Sequence, residues 1–441
     1  MLFSNITVLD EKLEVRENRY VGVRGDRIAY VGGAPPKDDF GEARDGRGKL
    51  LMPGFYNAHA HSPMTLARGY AENLSLRDWL NARIFPFEDE LDGEAAYWGS
   101  LLAMAESLRF GVVSTSDMYF FAGDMVRAVI ESGAKANIAR AVVAFSDDED
   151  IAHNKGFQEA KALFEEYDGA AGGRIKIEMA LHAEYSSTGR IARQLAEYAK
   201  KSGAGVQIHL SETAAEHEEC KGRRGGLTPA EYLNEAGFFD VRATAAHCVW
   251  LSAGDMDILA EKNVTAASCP VSNMKLASGV CDVPALLRKG INVAIGTDGA
   301  ASNNSLNFFE EMKFFALANK VRYGDPTLVT PAETVAAATF AGAKAQGRTD
   351  SGSISVGNKA DLIVIDLCAP NMRPAHNLVN NIVYSASGGD VLLTMADGRI
   401  LFENGEYTTI DIEKTIFNVE RSVNRILGKL PPRPSDAKAE R

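Results

Sequence analysis

The chain is short of the residues that would make several readings easy. It has only five cysteines in 441 residues. They are odd in number and form no CxxC pair, so they offer neither a disulfide framework nor a thiolate zinc knuckle. They read as reduced, mostly structural thiols of a cytoplasmic protein. No apolar run is long enough to span a bilayer. The first residues, "MLFSNITVLDEKLEVREN", lack the basic start and greasy core of a signal peptide. Basic charge is in deficit as well. A formal net charge of -12 leaves no general basic face for nucleic acid or an anionic membrane, so neither is expected as a partner. No GxGxxG follows the first strand and no GxxxxGK[ST] occurs, which removes the common nucleotide-phosphate cradles. What remains is ordinary globular material, 46% hydrophobic and 24% charged. Its length suits one large barrel plus a smaller unit, or two to three domains.

Both ends of the chain read as β structure. "ITVLD", "RYVGVRGDRIAYVGG" and "GKLLMPG" at the start, and "KADLIVIDL" and "VLLTMADGRILFENGEY" near the end, are short β-branched runs broken by Gly and Asp turns. "GDRIAYVGG" and "DGRILFENG" both look like hairpins. Between these ends, eight short apolar runs alternate with helix-length amphipathic segments: "GFYNAHAH", "GVVSTSDM", "ANIARAVVAF", "RIKIEMALHAE", "GVQIHLSE", "RATAAHCVW", "VTAASCPVSN" and "INVAIGTDG". Eight strands alternating with helices match the order and size of a (β/α)8 barrel; a doubly wound open sheet is the alternative. The expected fold is therefore α/β, a TIM-type barrel with a small β-sandwich domain built from both termini. Residues 1–53 and 351–441 would form the small domain, the latter with a terminal helix and polar tail. Residues 54–350 would form the barrel.

Histidine is scarce too, with eight in the chain, yet His59 and His61 stand one residue apart at the end of the first run. In a strand, residues i and i+2 point to one face. His182, His209 and His247 close runs four, five and six, and Asp298 closes run eight. In a barrel all of these reach the rim formed by the C-terminal strand ends, where barrel enzymes build their sites. Neutral imidazoles with one carboxylate suit Zn²⁺, and also Fe²⁺ or Co²⁺. A single histidine at a strand end is usually only a hydrogen-bonded polar residue; five of eight at corresponding ends argue otherwise. His153, His217 and His376 fall in helical or loop sequence and keep that plainer reading.

Several segments carry a resemblance: "PGFYNAHAHSPMTLARGYAENLSLRDWL", "VQIHLSET", "AAHCVWL", "CPVSNMKLASG", "GTDGAASNNSLNFFEEMK" and "ADLIVIDL". On these the chain is similar to the amidohydrolase superfamily. Within it, the chain most resembles the S-adenosylhomocysteine/5'-methylthioadenosine/adenosine deaminase branch, over nearly its whole length. The resemblance implies one divalent metal per chain, usually zinc, held by His59, His61, His209 and Asp298. It implies that Glu212 is the acid/base and that His247 contacts the attacking hydroxide. On the substrate side it implies that His182 bonds a purine ring nitrogen, that Glu88 grips the ribose hydroxyls, and that Arg140 can pair with an amino-acid carboxylate. The branch has a second arginine about twelve residues after the first. Here that region reads "DEDIAHNKGF", with only Lys155 nearby, which counts against S-adenosylhomocysteine.

The chemistry asks for the same parts. Deamination of an aminopurine needs hydroxide at neutral pH, and a bound metal brings the pKa of water from about 15.7 to about 7. A carboxylic acid such as Glu212 can protonate the ring nitrogen as water adds. Asp298 can relay a proton to the leaving ammonia, and His247 can hold the hydroxide in line. On spacing alone Glu212 would be an exposed loop carboxylate; the neighbouring ligands argue for more. "SNMKL" at Ser272 to Leu276 takes no chemical step in this scheme, and "GTDGAASNNSLN" reads as a turn feeding a helix near Ser305. The HxE…PCxxC class of zinc deaminases is unsupported, since "SCPVSN" is not PCxxC and the "HAE" at His182–Glu184 stands alone. The expected activity is metal-dependent release of ammonia from adenosine-type nucleosides, with a small-molecule substrate as partner and homo-oligomerisation left open. The rivals are a guanine or triazine hydrolase of the same fold, a non-catalytic scaffold, and a metal-storage protein. The scaffold would be expected to have lost ligands or the acid.

Overall fold

A computed structural model describes residues 1–146 and 148–431. Of the polar tail that begins at Gly428, residues 432–441 lie outside the described residues. The first five strands are β1 (Leu2–Leu9), β2 (Val15–Arg24), β3 (Arg27–Gly32), β4 (Ala43–Asp45) and β5 (Lys49–Pro53). The next eight are β6 (Phe55–Ala60), β7 (Val112–Met118), β8 (Lys135–Val142), β9 (Ile175–Leu181), β10 (Val206–Leu210), β11 (Ala243–His247), β12 (Thr265–Ser268) and β13 (Val293–Ile295). The last four are β14 (Leu362–Asp366), β15 (Val391–Ala396), β16 (Arg399–Glu403) and β17 (Glu406–Tyr407).

Strands β6 to β13 pair in sequence order, every one parallel to the next. A parallel bridge between Ala60 and Asp298 joins the last edge to the first and closes the barrel. Each strand corresponds to one of the eight apolar runs. Their residues are buried almost throughout, because helices cover the outside and side chains fill the inside. The helix Gly189–Ser202 illustrates how the sequence writes the outer layer. Thr188 caps it by accepting from the Ile191 N–H, and it ends at Gly203 in the left-handed region, φ 77°. Its buried stripe runs Ile191, Ala192, Leu195, Ala196, Ala199, one face of a 3.6-residue period.

The remaining strands form the second sheet, β17-β16-β15-β14-β5-β1-β2-β3, with β4 on β1. Strand β5 pairs with β14, so the two ends of the chain meet in one small β unit around one core. Phe3, Ile6 and Leu51 from the first end pack there with Leu362, Leu393 and Met395 from the other. The two sequence echoes are indeed hairpins, β2–β3 and β15–β16. The small unit is tied to the N-terminal end of the barrel by a buried ion cluster. Lys135 Nζ lies 2.6 Å from Asp361 Oδ2 and 2.7 Å from Asp397 Oδ1. The last helix, Ile412–Leu427, lies instead against the barrel helix Gly93–Arg109, with Arg425 paired to Asp92 at 2.8 Å.

The helix expected near Ser305 begins at Phe308. Asn304 takes φ 73°, which breaks the chain after the turn Ala300–Asn303. Asn307 then caps the helix Phe308–Tyr323.

Candidate metal centre and active site

The barrel's C-terminal rim gathers His59 from β6 and His61 just beyond it, His209 from β10, His247 from β11, and Asp298 beyond β13. Three features of local backbone place them. His59 and His61 share a face by the strand period. Gly296 lets β13 come against β6: a Cβ there would lie 2.9 Å from His59 Cβ and 3.0 Å from its backbone N and O. His247 and Asp298 themselves adopt left-handed conformations, φ 69° and 61°, as does Ser211 beyond His209, φ 48°. Such strain in non-glycine residues persists where the surroundings over-determine it, and it clusters at functional sites.

The imidazoles are presented with their Nε2 atoms bare. His61 Nδ1 donates to the Met118 carbonyl at 2.5 Å, and His209 Nδ1 donates to the His182 carbonyl at 2.7 Å. Each Nδ1 therefore carries the proton, and the two Nε2 lone pairs face one another at 3.2 Å. His59 Nε2 is buried with no hydrogen-bond partner. Asp298 Oδ1 lies 3.6 Å from His59 Nε2 and 3.3 Å from His61 Nε2. Lone pairs converging with a carboxylate oxygen and no proton between them repel unless a cation sits among them. On donor chemistry the set fits a divalent metal of the N,O type. Burial and the neighbouring imidazoles push His59 and His209 well below the ordinary histidine range, so both stand neutral. Burial would raise the Asp298 carboxyl, but His61, His247 and His59 and the Ser272 hydroxyl hold it below the ordinary carboxylate range.

Glu212 follows β10 and is 7% exposed, so it is not the solvated loop carboxylate that spacing alone suggests. Its Oε1 accepts from Ser278 Oγ at 3.0 Å, and its Oε2 stands 3.7 Å from His247 Nε2. Burial raises its pKa, His247 opposes this and Asp298 adds to it; the net effect is upward. His247 Nδ1 donates to Asn273 Oδ1 at 2.9 Å, which turns Nε2 toward Glu212. His182 is half-buried against His209, ring centroids 4.9 Å apart, with Nδ1 3.1 Å from Ser186 Oγ. Burial and the neighbouring histidines lower it to about 4.

Glu88 lies on the short helix Phe85–Glu88 and accepts from Tyr119 Oη at 2.6 Å. Arg140 is not free. Its Nε is 2.7 Å from Glu159 Oε2, and its guanidinium lies 4.9 Å from the Phe120 ring centroid. Lys155 is 89% exposed and also leans on Glu159, at 3.7 Å. Glu184 of the "HAE" triplet is fully buried and clamped by Arg223 and Arg224 at 2.6 and 2.7 Å, which makes it a structural ion cluster. All five cysteines are free thiols, four buried and Cys368 exposed.

Sequence reasoning missed the groups that hold the site. Ser272 and Ser302 donate to Asp298 Oδ2 at 2.6 and 3.0 Å, leaving Oδ1 for the centre. With Asn273 on His247 and Ser278 on Glu212, the single segment "SNMKLAS" supports three of the site's groups. Its place among the segments that carry the family resemblance was the available signal; the partners were not.

A closed parallel barrel with three imidazole nitrogens and a carboxylate at its C-terminal rim defines a metal-dependent barrel hydrolase. The chain belongs to the Amidohydrolase family, whose profile matches residues 50–401. It is 39% identical to a 5-methylthioadenosine/S-adenosylhomocysteine deaminase of Thermoanaerobacter pseudethanolicus over 97% of this chain and 99% of that one. It is also 39% identical to a 5'-deoxyadenosine deaminase of Methanosarcina acetivorans over 94% of each. Its fold superposes on the crystal structure of an adenosine deaminase from Xanthomonas campestris with bound zinc. The TM-score is 0.91 and the identity 32%, covering 97% of this chain and 98% of that one. The chain is thus an enzyme, a hydrolase of carbon–nitrogen bonds with a divalent metal. Among the described residues no helix is long and apolar enough to cross a membrane.

Proposed function

We propose that the chain deaminates adenosine-type nucleosides by hydrolysis, releasing ammonia. The metal is Zn²⁺ in this reading, held by His59, His61, His209 and Asp298. The observation that carries it is the bare Nε2 set facing Asp298 Oδ1, with the buried Glu212–His247 pair beside it. Bound there, the metal supplies activated water at neutral pH.

The chain's own residues do the rest. Water adds to the ring carbon that bears the amine, and Glu212 gives its proton to the adjacent ring nitrogen as that carbon becomes tetrahedral. Burial shifts its pKa upward, which favours the protonated form. His247, fixed through Nδ1 by Asn273, aligns the attacking oxygen. Asp298, with Oδ2 occupied by two serine hydroxyls, uses Oδ1 to receive a proton from the water and deliver it to the departing amine. The carbon–nitrogen bond breaks and ammonia leaves; the hydroxyl left on the ring carbon gives its remaining proton to Glu212 as the carbonyl forms, which restores the acid. His182 recognises a purine ring nitrogen, and Glu88, steadied by Tyr119, accepts from the ribose hydroxyls.

The substrate range follows from the 5' side. Arg140 already has a carboxylate partner in Glu159, and the loop beyond carries Asp148, Glu149 and Asp150 rather than a second arginine. An amino-acid carboxylate would have to displace Glu159, which offsets the ~1.5–3 kcal/mol that a desolvated charge-assisted contact contributes. We expect adenosine, 5'-deoxyadenosine and 5'-methylthioadenosine to be deaminated to inosine-type products. S-Adenosylhomocysteine should be no better than 5'-methylthioadenosine. Adenine and guanine should be poor, lacking hydroxyls for Glu88. Ammonia release across this panel at equal enzyme is the test. Guanine or a triazine outpacing every nucleoside would overturn the substrate reading, although the metal site would stand.

Glu88 also predicts a pH dependence. Burial pushes its carboxyl up to about 7, against the Tyr119 hydrogen bond that lowers it. Below that value it is protonated and a poorer acceptor; above it, ionised. In this reading kcat/KM for adenosine rises between pH 6 and pH 8 by up to roughly tenfold through this group. Glu88→Gln should lose that part of the rise. A variant with the wild-type profile would remove Glu88 from nucleoside binding.

A further inference from the structure

Two carboxylates stand just beyond β10, and only one of them faces the reacting groups. Glu216 is the other. Its Oε1 accepts from the Ser211 N–H at 3.0 Å, and its Oε2 accepts from the Glu212 N–H at 2.7 Å. It is 7% exposed.

The plain explanation of such a glutamate is a helix cap. Glu216 is the third residue of the helix Ala214–Arg223, and Thr213 caps that helix by accepting from the Glu216 N–H at 3.1 Å. "TAAE" is therefore a capping-box sequence, in which the glutamate should return to the N–H of the capping threonine. Among the described residues two other threonine–glutamate boxes take the regular form. Glu231 accepts from the Thr228 N–H at 2.8 Å, and Glu333 accepts from the Thr330 N–H at 2.7 Å. Glu216 departs from both. It passes over Thr213 and binds the two residues before it.

Those two residues are the turn that carries Glu212. Ser211 is fully buried in the left-handed region, φ 48°, and its carbonyl is already taken by the Trp250 N–H at 2.9 Å. With Glu216 in place, neither the Ser211 nor the Glu212 N–H is left unpaired in the interior, and the left-handed turn is tied down. Both oxygens of Glu216 must accept, so only a carboxylate serves. A glutamine offers one acceptor and would set its NH₂ against an N–H.

We infer that Glu216 is a positioning residue for the reaction: its two-oxygen grip on the Ser211 and Glu212 N–H groups sets where Glu212 presents its carboxyl. The inference rests on the reading of Glu212 as the acid/base.

The test is a mutant cycle with 5'-deoxyadenosine, with metal content measured on every variant. Glu216→Gln should lower kcat by a factor on the order of 10–10², since a shift of about an ångström in a reacting group has that effect. KM should stay within about threefold, and the metal should remain. The decisive comparison is the double variant E212Q/E216Q, followed over long incubations. If Glu216 acts through Glu212, the double variant is no slower than E212Q alone. A full additional loss in the E212Q background would overturn the inference, as would wild-type kcat in E216Q, loss of its metal, or a chain that does not fold. Those outcomes leave Glu212 untouched. Undiminished activity in E212Q itself would instead remove the underlying reading, and this inference with it.

Discussion

Glu212→Gln is expected to keep its metal and lose turnover by a factor on the order of 10² or more. The substitution is nearly isosteric, and the Gln side-chain oxygen can still accept from Ser278 Oγ, so the geometry should survive. What it removes is the proton. An amide cannot protonate the ring nitrogen, and the carboxyl whose pKa burial and Asp298 raise is gone. Glu212 Oε2 stands beside His247 Nε2 and, unlike His59, Glu212 is absent from the convergent ligand set, so metal content should not change. Elemental analysis beside a rate assay measures both. An active, metal-replete Gln variant would mean that another group delivers the proton. A metal-free one would place Glu212 among the ligands.

His209→Ala should lose both metal and activity. His209 is anchored by its Nδ1 on the His182 carbonyl, and its Nε2 faces that of His61 at 3.2 Å. In the proposed site His209 is one of four ligands, and alanine offers no replacement donor. The native protein should hold about one divalent ion per chain and lose activity on chelation. Returning zinc should restore activity in the native chain and not in the variant. Full activity in a chelator-stripped, metal-free native sample would sink the site assignment. It would also leave the bare Nε2 atoms without an explanation.

The parts of this protein that were legible before folding are those governed by short-range regularities. Eight apolar runs alternating with helix-length segments describe a parallel barrel, because strand and helix periods are local. The two hairpin-like ends describe a β unit. The His59–Ala60–His61 triplet puts two imidazoles on one face because the strand period is two. The run-ending positions of His209, His247 and Asp298 were visible for the same reason. Even the departure at "DEDIAHNKGF" could be read directly, since a missing arginine is missing in any conformation.

Direction and partnership were not legible. His61 and His209 are separated by 148 residues, and the meeting of their Nε2 atoms exists only because the barrel closes at Ala60 and Asp298. Arg140 reads as an open fork until helix packing brings Glu159 against it. "SNMKLAS" carries no periodic signal, yet its Ser272, Asn273 and Ser278 hold Asp298, His247 and Glu212. "TAAE" reads as an ordinary cap, and only the left-handed turn at Ser211 sends Glu216 past it. Sequence alone determined which chemistry this chain could perform, because residue type and strand period are properties of the local chain. Tertiary structure decided which lone pair points where and which charge is already paired, because those depend on contacts between segments far apart in sequence.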